Sequence, residues 1–131
     1  MSLTVLQPPG WARPRGYANG VAATGRLVFV AGQIGWNGNG EFESDDLVAQ
    51  TAQALRNVVA VLAEAGALPS HIVRMTWYIT DKPEYLRRGA ELGAAYRAVI
   101  GRHFPAMSAV EVSALIEDRA KVEIEVTAVV P

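Results

Sequence analysis

The feature that most constrains this chain is a strict two-residue alternation near its C-terminus, running from Lys121 to Val130. Val122, Ile124, Val126, Ala128 and Val130 fall on one face of an extended segment; Lys121, Glu123, Glu125, Thr127 and Val129 fall on the other. A strand of that pattern is half buried, so other elements must cover its apolar side. The same geometry sends Glu123 and Glu125 out of one face, about 6–7 Å apart, two rises of an extended chain. Carboxylates that close resist joint burial unless one is protonated or paired.

Upstream, Ser2 to Leu6 is expected to form a short strand that Pro8-Pro9-Gly10 ends, with Trp11 to Arg15 irregular. Gly16 to Val21 reads as a second short strand, and Ala23-Thr24-Gly25 supplies turn chemistry. Leu27 to Ala31 is a continuous β-branched and aromatic run, as in a strand buried on both faces. The nine residues Gly32 to Gly40 hold four glycines and two asparagines, which predicts a turn-rich loop at a site rim, its glycines serving positive φ. No Lys-Ser or Lys-Thr follows, so a phosphate loop is not expected.

Ser44 suits an N-cap, with Asp45 and Asp46 in the first turn of a helix. Leu47, Thr51, Leu55, Val58, Val59 and Leu62 then recur at helical spacing up to Gly66. From Ile72 the period returns to two, with Val73, Met75, Trp77 and Ile79 on one side. Pro83 opens a second helix whose stripe is Tyr85, Leu86, Leu92, Tyr96, Val99 and Ile100, and Pro105 forbids its continuation. The order β-β-β-α-β-α-β-β predicts an α+β fold, a mixed sheet of about six strands with two helices on one face. The other face lacks cover, and oligomerisation would supply it.

At 131 residues one domain spanning 1–131 is expected. Hydrophobic residues make up 50% and charged residues 19%, which argues against disorder and for a surface that is apolar in places. The net charge of -1 gives no field to gather nucleic acid or anionic membrane, so neither is expected as a partner. There is no cysteine, hence no disulfide or thiol chemistry, and residues 1–20 hold no apolar run of the kind a signal peptide needs. With no stretch of membrane-spanning length, a soluble, cytoplasmic protein is expected. His71 and His103 read as structural, no metal-ligand spacing is present, and neither metal nor cofactor is expected. Tyr17 could pack or offer a pocket hydroxyl. Glu123 alone could be a solvated strand carboxylate or, in a secluded pocket, one that orients water.

Pro105-Ala106-x-Ser108-x-Val110-Glu111-Val112, followed after a gap by Val122-Glu123-Ile124-Glu125, resembles the C-terminal signature of the Rid family of reactive intermediate deaminases, also called YjgF or L-PSP. Gly16-Tyr17, the run Val30 to Ile34, Val73 to Thr76 leading to Thr80-Asp81, and Tyr96 follow in the family's order, so the likeness covers nearly the whole chain. The resemblance implies a chorismate-mutase-like fold and a homotrimer with three clefts between subunits. It implies hydrolytic deamination of a small imine or enamine, with Glu123 supporting the attacking water and Tyr17 completing the site. Gly32, Gln33, Ile34, Trp36 and Met107 would contact the substrate.

Met107 stands where the deaminases carry the arginine that grips the substrate carboxylate, and a thioether offers neither charge nor donor fork. Ala31 replaces a serine of well-studied members, Ala109 a frequent cysteine and Gly93 a frequent asparagine. Losing a charged bidentate contact costs about 1.5–3 kcal/mol, roughly ten- to a hundredfold in binding. Three outcomes follow: a changed substrate, a guanidinium from elsewhere (Arg102 and Arg119 lie nearby in sequence), or a regulatory trimer that binds a ligand without catalysis. A ribonuclease activity has been attached to the family under the name L-PSP, but neither the charge balance nor a histidine pair favours RNA cleavage.

Overall fold

The structure is a computed structural model that describes residues 3–131; Ser2 of the expected first strand lies outside them. Six strands and three α-helices follow in the order β1 (Leu3–Leu6), β2 (Gly20–Ala23), β3 (Arg26–Ile34), α1 (Leu47–Glu64), β4 (Ile72–Ile79), α2 (Lys82–Arg87), α3 (Gly89–Val99), β5 (Ala106–Glu111) and β6 (Val122–Val130). The strands divide into two sheets, an antiparallel β1–β2 pair and a four-stranded sheet in the order β3-β6-β4-β5. The alternating strand read from the sequence, β6, lies between β3 and β4 and is antiparallel to both. Its Val122, Ile124, Val126 and Ala128 are buried in one core with Leu55, Val58 and Leu62 of α1 and with Leu92 and Tyr96 of α3. The fold is thus α+β, with the long helices on one face of the large sheet.

Two bulges reset the alternation. In β3 the pairing jumps from Val30 opposite Val126 to Gln33 opposite Ile124, which puts one extra residue into the strand. In β4 it jumps from Ile72 opposite Ala128 to Arg74 opposite Thr127. Ile72 is therefore buried in place of Val73, while Met75, Trp77 and Ile79 stay on the helix side.

Several expected boundaries move. β3 is not buried on both faces: Leu27 and Phe29 are exposed, Phe29 by 74%. It also runs on through Gly32 to Ile34, so the turn-rich loop begins only at Gly35. The second strand begins at Gly20 rather than Gly16. Asp46, not Ser44, caps α1, its carboxylate accepting from the Ala49 amide at 3.0 Å. The second helix is broken at Arg88, the last residue of one turn and the cap of the next, and Leu86 of its expected buried stripe is exposed.

Candidate functional site

Glu123 leaves the face of β6 opposite the buried Val122 and Ile124. Its neighbours in register are Ile34 on β3 and Tyr78 on β4. The β3 bulge carries Gly32 against it so closely that a Cβ on Gly32 would stand 2.1 Å from Glu123 Oε2. Gly32 is glycine for this approach, not for a turn: among Gly32, Gly35, Gly38 and Gly40, only Gly40 has positive φ. Gly35 is likewise a close approach, with Gln50 of α1 2.5 Å from where its Cβ would be. Gly32, Ile34 and Glu123 therefore form one cluster. On the same face Glu125 accepts a 2.5 Å hydrogen bond from the Tyr78 hydroxyl, which pushes the tyrosine's pKa up. The two glutamates thus have different surroundings.

Gln33 and Trp36 lie elsewhere, lining a cavity of about 430 Å³ with Asn37, Asn57 and Val61. Asn57 of α1 donates to the carbonyls of Ile34 (3.1 Å) and Trp36 (2.8 Å), fixing the end of β3 on the helix. Trp36 packs on Phe42 with ring centroids 6.0 Å apart.

Met107 pairs with Met75 across β4 and β5 and packs against the core. It belongs to the helix side of the sheet, whereas Glu123 belongs to the open side. Three residues along the strands and two strands across separate them, roughly 14 Å by sheet spacings. Met107 lines a cavity of about 390 Å³ with the rings of Trp77, Tyr85, Tyr96 and Phe104. Those rings form a continuous run, Trp77 lying 6.5 Å from Tyr85 and 6.4 Å from Tyr96, which stacks on Phe104 at 5.6 Å. Burial raises the pKa of both tyrosines, most for Tyr96, whose hydroxyl donates to the His103 carbonyl at 2.5 Å. Tyr17, 41% exposed, stands at the mouth of β5: the next residue, Ala18, donates to the Pro105 carbonyl at 2.9 Å and bridges Ala106. Gly16 lines the Met107 cavity. One copy of the chain therefore gathers Gly32, Ile34 and Glu123 in one place, Gln33 and Trp36 in a second, and Met107 beside the Tyr17 backbone in a third.

Neither guanidinium expected from sequence proximity reaches Met107. Arg119 bonds Asp45 at 2.9 Å and lies over the Phe42 ring, and Arg102 is not among the residues lining the cavity. Arg15 and Arg97 are, and sequence reading missed both. The available signal was the spacing Gly89, Gly93, Arg97 along one helix face. Trp77, expected in the packing, is 4% exposed and faces the helices rather than the open side. Both histidines hold backbone, His71 Nδ1 accepting from the Leu68 amide at 2.9 Å and His103 Nε2 bonding the Ile72 carbonyl at 2.7 Å. No helix among the described residues is long and apolar enough to cross a membrane.

Residues 12–130 match the family model described as Endoribonuclease L-PSP. The 2-iminobutanoate/2-iminopropanoate deaminase of Salmonella typhimurium is 35% identical over 132 residues, 98% of each chain. Among solved structures, the Rid-family protein YyfB of Yersinia pestis, itself described as of unknown function, superposes with a TM-score of 0.87 at 36% identity, over 99% of this chain and 100% of that one. Escherichia coli TdcF, solved with bound serine, gives a TM-score of 0.70 at 32% identity over 98% and 99%. The matched signature, the shared fold and full-length relatives at this identity place the chain in one family: it belongs to the Rid family, also called YjgF or L-PSP.

Proposed function

We propose that this protein is a cytoplasmic homotrimer that hydrolyses a small imine or enamine to a carbonyl compound and ammonia, at a pocket shared between subunits. The observation that carries the reading is the Glu123 carboxylate seated over the Gly32 bulge. A carboxylate so placed can take a proton from water as the oxygen adds to the C=N carbon of the imine, or of the imine tautomer of an enamine, and pass it to nitrogen; the carbinolamine's hydroxyl proton then passes to the amine, and the C–N bond breaks as the carbonyl forms and ammonia leaves. Tyr17 would complete the site, with Gly32, Ile34 and Met107 around the substrate, while Gln33 and Trp36 line the separate cavity at the end of β3. Because Glu123 and Met107 lie on opposite faces of the sheet, one copy does not unite them, and a second copy facing the open side can. A relative named for 2-imino acid deamination at 35% identity supports the reaction class. Met107 in place of a charged group implies a specificity changed from that relative's.

Ammonia release from enzymatically generated 2-imino acids and from neutral enamines tests the reading. The parent should turn over at least one of them, and Glu123→Gln should lose about a hundredfold or more, the usual worth of a positioned acid or base. Turnover unchanged in Glu123→Gln would sink it.

The aromatic enclosure of Met107 favours a second reading, a ligand-binding trimer of the same fold without catalysis. An inert parent beside an active Met107→Arg variant would select it. Neither histidine is free for ribonuclease chemistry, since both are engaged with backbone groups.

A further inference from the structure

The cavity that holds Met107 is apolar and aromatic on its walls, yet two arginines line it and no aspartate or glutamate does. Neither Arg15 nor Arg97 is in an ion pair among the described residues. A positively charged cleft with aromatic walls suits a small anion that carries an apolar body.

Of the two arginines, Arg97 is the better placed. It sits in the last turn of α3, on the same helix face as Gly89 and Gly93, and all three line the cavity. Its Nη1 lies 3.2 Å from the point where a Cβ on Gly93 would stand, so the guanidinium occupies space that the glycine leaves open. Glycine inside a helix costs roughly 1 kcal/mol relative to alanine, and φ at Gly93 is not positive, so the backbone does not require it. The bare helix face gives the cavity its width and lets the Arg97 side chain fold along it.

We propose that Arg97, lying over Gly93, is the carboxylate-binding residue of this cavity, and that its ligand is a small carboxylate with an aromatic or branched apolar side chain. The inference deepens the proposed function by naming its substrate class: 2-imino acids with large apolar side chains, their carboxylate held by α3 rather than from position 107.

Phenylpyruvate, the 2-oxo acid that such a deamination would release, and phenylacetone, which lacks its carboxylate, are the probes, with affinity read by calorimetry. The parent should bind phenylpyruvate at least tenfold more tightly than phenylacetone, and Arg97→Gln should remove that preference while leaving phenylacetone binding unchanged. Arg97→Lys should restore part of it. Gly93→Asn, which fills the space of the guanidinium without removing it, should act like Arg97→Gln; thermal unfolding of each variant confirms that it is folded. A preference that survives Arg97→Gln, or a parent that does not distinguish the two probes, overturns the assignment. The two readings fail separately. Arg97-dependent binding without ammonia release from any imine refutes the reaction, and with it the substrate class, and leaves Arg97 as the carboxylate-binding residue, whereas turnover of a phenylpyruvate-derived imine indifferent to Arg97→Gln refutes this inference alone.

Discussion

Glu123 and Gly32 share a space that only one side chain can fill, which makes Gly32 the most selective handle on the carboxylate. A methyl group there would stand 2.1 Å from Oε2, 2.7 Å from Cδ and 2.8 Å from Cγ. These atoms belong to a side chain that can swing aside, and φ at Gly32 is not positive, so alanine is compatible with the backbone. Gly32→Ala should therefore keep the fold and displace the carboxylate, lowering kcat by tenfold or more with little change in unfolding temperature; an active Gly32→Ala enzyme would show that this position of Glu123 is not the productive one. The face that carries Glu123 was legible in the sequence from alternation alone. The reason for Gly32 was not, because it depends on a side chain 91 positions later in the chain. Arg97 was hidden for the same reason: a glycine and an arginine four apart acquire meaning only when aromatic rings from β4, α2 and the segment before β5 wall the space beside them.

At the scale of elements, Arg88 holds the helical layer together. It ends α2, begins α3, and bonds Asp46 at 2.5 Å and Glu91 at 2.8 Å, with Glu84 at 3.5 Å. The hydrogen bond from Arg88 holds the Asp46 carboxyl below its ordinary value of 3.8, helped by the Ala49 amide, and holds Glu91 below 4.5. Groups whose folded pKa is depressed stabilise the fold above their unfolded pKa and lose that contribution as pH falls through the folded value. Urea midpoints should therefore drop from about pH 5 downward, more shallowly in Arg88→Met than in the parent; equal slopes would mean the cluster is energetically silent. Asp46→Ala should cost about 1 kcal/mol, as the loss of a helix N-cap does. Leu55→Ala, at a fully buried site under β6, should cost roughly 2–5 kcal/mol. The periods of α1, β4 and β6 were readable because burial on one face imposes them. The bulges in β3 and β4 and the break at Arg88 were not, since register and a three-carboxylate cluster arise only when distant segments meet.

For the whole molecule, the unresolved matter of cover for the open sheet face becomes a question of assembly. Leu27 and Phe29 on β3 and Val110 on β5 leave apolar surface exposed beside Arg74, Thr76, Glu125 and Thr127, which line a shallow depression of about 430 Å³. Soluble monomers seldom leave such a patch open, and the same face carries Glu123. The proposed trimer would bury it and bring a neighbour's surface to the carboxylate. Light scattering on the parent should then give three times the 14.0 kDa chain mass. Phe29→Glu places a charge in the middle of the buried patch and should shift the mass toward one chain, because an unpaired buried charge is costly. If the site is shared, the same substitution should abolish ammonia release although Glu123, Gly32 and Met107 are untouched, and activity should return with rising protein concentration in a weaker variant such as Phe29→Ala. A Phe29→Glu monomer with full activity would place the whole reaction within one copy, and the separation of Glu123 from Met107 would then mean that Met107 has no part in it.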